Sequence, residues 1–262
     1  MDITLDIETI PSQNADVLDA IRKSVAENFK APSTLTKEQA AIDLGMTDKD
    51  EIKFTGKDAM LARWVERFRG EKTEEVAQEQ WRKTSFDGAT GQIAVIGLAL
   101  GDEEPETLHS DDWANKEASV LRAAFERIAD SFSPQSDRRP VFIGHHITGF
   151  DLRFLFQRAV VLGIKPPSII PFHARPWDDH VFDTMTRWAG HNGSIKLDAL
   201  CQALGIPSPK NGIDGSKVWD YVRDGRIAEV AAYCAGDIRA TRAAYRRMTF
   251  ANSAQQPELL AA

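Results

Sequence analysis

Gln92 to Leu100, QIAVIGLAL, is a nearly continuous apolar run that constrains the fold more than any other stretch of the chain. Bounded by Asp87-Gly88 on one side and the Gly101–Pro105 turn on the other, it reads as a buried strand. The short segment near Glu106–His109 then folds back on it as a hairpin. A strand over residues 1–9 opens the chain, and Pro140 to Gly144, PVFIG, supplies another. Helical spacing marks Asn14 to Phe29 and about Trp113 to Phe132, where Val120, Leu121, Ala124, Phe125, Ile128 and Phe132 share a stripe. Further helices are predicted over Phe150 to Leu162 and over about 182–190, 197–204, 216–223 and 226–249, with 163–180 irregular. Lys30 to Phe86 is charged and largely helical, with Glu51–Phe54 its one strand-like stretch. This order predicts an α/β fold with a mixed sheet, because a hairpin is antiparallel and a crossover through a helix is parallel.

At 262 residues the chain suits one large domain, or one domain carrying an insertion. No apolar run reaches the roughly 18 residues of a membrane span, and the N-terminus lacks the basic and apolar regions of a signal peptide. Cys201 and Cys234 both fall in apolar helical patterns, as expected of buried reduced thiols in a cytoplasmic protein. A net charge of −7 argues against a protein that coats nucleic acid by bulk electrostatics, though not against an enzyme that grips a few phosphates.

Within the first strand, Asp6 and Glu8 stand two apart and so share one face, with Leu5 and Ile7 on the other. Like charges that close repel each other. Either the strand end is solvated or a divalent cation sits between them. Asp151 stands in the first turn of a helix, where the macrodipole alone favours a carboxylate. Tyr233 and Asp237 are four apart on a long helix and share a face, which suits a surface hydrogen bond or a site. Asp183 precedes a helix and reads as an N-cap.

Taken together, Asp6-x-Glu8-Thr9, Phe150-Asp151 after a strand and loop, and Tyr233-x-x-x-Asp237 resemble the three motifs of the DEDD exonuclease superfamily, in its tyrosine-containing DEDDy branch. The nearest resemblance is to the proofreading exonuclease domain of family B DNA polymerases and its stand-alone bacterial and phage relatives. It covers residues 1–10 and about 92–250. The resemblance implies a ribonuclease-H-like mixed sheet flanked by helices, with a helical insertion at about 11–91 after the first strand. A single exonuclease domain would then span 1–250, followed by a flexible tail over 251–262. One departure is His146, which stands where such proteins usually carry the Asn that contacts substrate near the reactive end.

The same resemblance implies two divalent cations, Mg²⁺ or Mn²⁺, whose preference for oxygen ligands suits four carboxylates. Asp6 would bridge both ions, Glu8 and Asp237 would complete one site, and Asp151 would hold the second. Tyr233 would orient the attacking water, its ordinary pKa near ~10 making it a poor base. Candidate substrate contacts are Thr9, His146, Phe150, and Lys217 in the Gly-rich loop Lys210–Lys217. Trp64 and Trp81 are expected to pack the insertion onto the body, and Arg239, Arg242, Arg246 and Arg247 to form a solvated face. The expected substrate is the 3′ end of single-stranded DNA. An exoribonuclease of the same fold, or a non-catalytic nucleic-acid-binding module, are the alternatives.

Overall fold

A computed structural model describes residues 1–133, 138–208 and 212–251. Lys210, Asn211 and the tail from 252 lie outside the described residues. Two compact units are present: one runs through Met1–Pro11 and resumes at Ser85, and the other is Ser12–Thr84.

The first unit is built on a five-stranded sheet. Its strands are β1 (Asp2–Ile10), β2 (Gln92–Leu100), β3 (Glu106–Leu108), β4 (Val141–Gly144) and β5 (Val181–Asp183). They lie in the order β3-β2-β1-β4-β5, with β1–β2 and β2–β3 antiparallel and β1–β4 and β4–β5 parallel. The mixed sheet expected from the sequence is therefore present. Apolar residues leave β2 on both faces. Ile96 and Leu98, with Ile3, Leu5 and Ile7 of β1, enter one core. Val95 and Ala99, with Ile10, enter another.

The second unit holds α1 (Ala15–Asn28), α2 (Lys37–Asp43), α3 (Lys49–Phe54) and α4 (Lys57–Lys83). The helices of the first unit are α5 (Trp113–Asp130), α6 (Asp151–Val161), α7 (Thr184–Ala189), α8 (Leu197–Leu204), α9 (Val218–Arg223) and α10 (Ile227–Met248). Helices α5 and α6 supply Leu121, Phe125, Phe154 and Leu155 to the first core, and α9 and α10 supply Val218, Val222, Cys234 and Ile238 to the second. The sheet is thus flanked by helices on both faces.

Three local expectations are corrected. Glu51–Phe54 is helical, because Asp48 caps α3 by accepting from the N–H groups of Asp50 and Glu51. Strand β5 falls in a stretch expected to be irregular and then helical, since three residues pairing through Phe142↔Val181 are too few for a period to show. Trp64 packs inside the insertion unit, beside Ala40, Ala41 and Met60, with its ring stacked at 6.3 Å from that of Phe29. Its indole N–H donates to Asp43, and that of Trp81 donates to the Ser12 carbonyl.

Candidate active site

Strand β1 runs on through Ile10, so Asp6 and Glu8 lie within it rather than at its end. Across the β1–β2 ladder Asp6 faces Gly97 and Glu8 faces Val95, and the register then shifts between Glu8 and Thr9. Gly97 has a steric role: a Cβ there would meet Ile238 Cδ1 at 2.4 Å and Cys234 Sγ at 2.6 Å. A residue with a side chain would lift α10 off the sheet. With glycine, the helix lies against the face that carries Asp6 and Glu8, and Tyr233 and Asp237 flank the contact. Oxygens of Asp6, Glu8 and Asp237 come within 4.8 Å of one another.

Asp151 arrives from the other side. The last β1–β4 pair is Thr4↔Ile143, and beyond it the N–H of Ile7 donates to Asp151 Oδ1 at 3.1 Å. Asp151 is buried at 3 % exposure and lies outside the close three-carboxylate set, yet its charge acts on both Asp6 and Glu8.

Burial is the main influence on the acidity of all four groups. It raises Asp6 well above the ordinary carboxylate value, helped by the charges of Glu8, Asp151 and Asp237. Glu8 is raised in the same way by burial and then by Asp237 and Asp151. Asp151 is pushed up to about 7 by burial, against the pull of backbone hydrogen bonds including that from Ile7. Asp237 is pushed up to about 6 by burial, against a hydrogen bond from the Tyr233 hydroxyl. Burial and the nearby Asp237, Glu8 and Asp6 raise the Tyr233 phenol in turn, so it stays protonated. Asp6 Oδ2 is buried with no hydrogen-bond partner. An orphaned carboxylate oxygen among other carboxylates fits a divalent cation, which relieves both burial and repulsion.

Residues 91–259 match the model of a family described as a predicted 3′-5′ exonuclease related to the exonuclease domain of PolB. The chain belongs to that family. The match contains the Asp151, Tyr233 and Asp237 of this PolB-related exonuclease family member, and β1 adds Asp6 and Glu8 by pairing with β2 and β4. No protein of curated function matches it. Among solved structures it is similar to the family B DNA polymerase from the hyperthermophilic archaeon Pyrobaculum calidifontis, at 17 % identity and a TM-score of 0.48. That alignment covers 63 % of this chain and 22 % of the polymerase.

Beside the acidic cluster lies a cavity of about 840 Å³, lined by Asp6, Tyr233, Asp237, His145 and His146 on one side. Met185, Ile195–Asp198 and the segment Gly212–Ser216 complete it. Of the substrate contacts expected in this family member, His146 faces the cavity. Thr9 is engaged elsewhere, its hydroxyl donating to the Ser85 carbonyl at 2.7 Å. Phe150 packs against Phe154 and Phe86, with centroids at 5.5 and 6.4 Å. The exposed Lys217 ammonium stands 4.0 Å from Asp214, and Lys196 lines the cavity. Sequence reasoning missed Lys196 and Gly97, since one cation before a helix and one glycine in a strand are ordinary until the fold places them.

Proposed function

We propose that this chain is a metal-dependent 3′–5′ exonuclease that releases nucleotides from the 3′ end of single-stranded DNA, with residues 1–250 as one catalytic domain carrying a helical insertion. The observation that carries the reading is the buried, unpartnered Oδ2 of Asp6, in a carboxylate that brings an oxygen within 4.8 Å of oxygens of Glu8 and Asp237. Two divalent cations, Mg²⁺ or Mn²⁺, would be held by Asp6, Glu8 and Asp237 and by Asp6 and Asp151, where they would neutralise phosphoryl charge and stabilise the leaving 3′ oxygen.

The chain's own groups do the rest. The Tyr233 hydroxyl keeps its proton and orients the attacking water. Glu8 at 7 % and Asp151 at 3 % exposure are themselves shielded from bulk water, which strengthens their interaction with a nearby charge. His146 and Lys196 line the cavity where the terminal nucleotide would lie. Buried free thiols at Cys201 and Cys234 suit a reducing cytoplasm.

The test is cleavage of 5′-labelled single-stranded DNA, duplex DNA and RNA with Mg²⁺ or Mn²⁺. The expected result is stepwise shortening of the single-stranded DNA, abolished by EDTA. A ladder from RNA alone would reassign the substrate, and cleavage that survives EDTA would refute the metal mechanism.

A further inference from the structure

Asp183 closes β5 with its carboxylate wholly buried, at 0 % exposure. As an N-cap it needs one bond, the 3.2 Å contact from Thr186 N–H to Oδ1. It accepts three more, all from the loop between β4 and α6. His146 N–H reaches Oδ1 at 3.1 Å, and Thr148 gives Oδ2 both its N–H at 3.1 Å and its hydroxyl at 2.7 Å.

That loop is under constraint. His146 has φ +66, a left-handed conformation that disfavours a side chain. Gly149 makes room for its imidazole, since a Cβ there would meet His146 Cε1 at 2.2 Å. His146 O then accepts from Gly149 and Phe150 N–H at 3.0 and 2.9 Å, immediately before Asp151 opens α6. An unfavourable backbone state persists only where the surroundings over-determine it, and such states gather at functional sites.

We propose that Asp183 is a positioning residue. Its carboxylate holds the His146–Thr148 backbone so that His146 lines the cavity and the first turn of α6 delivers Asp151 to the Ile7 N–H. This rests on the exonuclease reading, because the groups positioned are those of that site.

Asp183→Asn separates positioning from capping. Asparagine is a good N-cap and can keep the Oδ1 contacts, but its amide group cannot accept from Thr148. Thr148→Val removes one loop bond and leaves the cap alone. Single-turnover cleavage of single-stranded DNA, Mn²⁺ affinity by calorimetry and melting temperature would be measured for wild type and both variants. Asp183→Asn is expected to lose about 10²-fold in rate and Thr148→Val about tenfold, with KM changed less than about threefold. Asp183→Asn should also bind Mn²⁺ several-fold more weakly, while Thr148→Val melts within about 2 °C of wild type. Wild-type rate and Mn²⁺ affinity in both variants would overturn the proposal, as would losses no larger than the fraction unfolded. If Asp183→Asn does not fold, a wild-type rate in Thr148→Val is itself sufficient to overturn it. A wild type that binds Mn²⁺ but cleaves no nucleic acid refutes the exonuclease reading instead, and positioning is then read from Mn²⁺ affinity alone.

Discussion

Asp6, Glu8 and Asp237 crowd three like charges into a space of 4.8 Å beside a phenol that donates to one of them. Replacing Asp6 or Asp237 by Asn removes a ligand and a repulsive charge together. Each variant is expected to lose exonuclease activity and, without metal, to melt at or above the wild-type temperature. A metal-free variant melting well below wild type would show that the carboxylate is structural. Tyr233→Phe tests a different role. Loss of the hydroxyl should leave Mn²⁺ affinity near wild type and slow single-turnover cleavage by roughly one to two orders of magnitude, the cost of a misplaced reacting group. Weaker metal binding in that variant would make the phenol a ligand support, and an unchanged rate would remove it from the reaction.

At the scale of elements, two contacts decide where the carboxylates go. Gly97 sets the approach of α10 to the sheet, through space that Ile238 and Cys234 already fill. Gly97→Ala should cost about 1–3 kcal/mol by overpacking and lower activity further by moving Asp237 from Asp6. Urea melts and cleavage assays check both, and an alanine variant with full activity would show that α10 has slack. Helix α6 is fixed by a buried ion pair. Arg158, 5 % exposed, gives Nε and a terminal nitrogen to Glu117 of α5 at 2.7 and 2.6 Å and donates to the Gly88 carbonyl at 3.0 Å. Glu117 also accepts from Ile93 N–H at 2.9 Å, next to the register shift of β2. Arg158→Ala strands a buried carboxylate and should cost about 3–5 kcal/mol in urea unfolding. A loss below about 1 kcal/mol would show that water reaches the pair and screens it.

For the whole molecule, the acidic cluster makes stability depend on pH in an unusual direction. Asp237 titrates near 6 and Asp151 near 7 in the folded state, against an ordinary value of 3.8. Between those values the folded chain holds protons that the unfolded chain has released, so stability falls as pH rises. Their contribution is complete below about 3.8 and is lost as pH climbs through about 6 and then about 7. The metal-free protein should therefore melt at a lower temperature at pH 8 than at pH 5.5. Saturating Mg²⁺ or Mn²⁺ should raise the pH 8 value most, because the cation replaces the missing protons. A metal-free melting temperature that is flat or rising over this span would show that water screens the cluster.

Local periodicity was legible in the sequence. A period of two put Asp6 and Glu8 on one face of β1, and a period near 3.6 put Tyr233 and Asp237 on one face of α10, because both patterns follow from backbone geometry over a few residues. The hairpin and the mixed sheet could be read for the same reason, whereas the three motifs were legible through their resemblance to a known family. What the sequence left open depends on partners far along the chain. The Ile7–Asp151 bond spans 144 residues, and the contact of Cys234 with the Asp6 carbonyl spans 228. Asp183 read as a cap because its local bond to Thr186 is typical of one; its three loop bonds exist only once β5 lies beside β4. Thr9 and Phe150 have chemistry suited to substrate, and their neighbours in the fold, Ser85 for the Thr9 hydroxyl and Phe154 for the Phe150 ring, could not be read from their surroundings in the chain. Chain chemistry fixes which faces exist. Close packing of whole elements decides which of them meet.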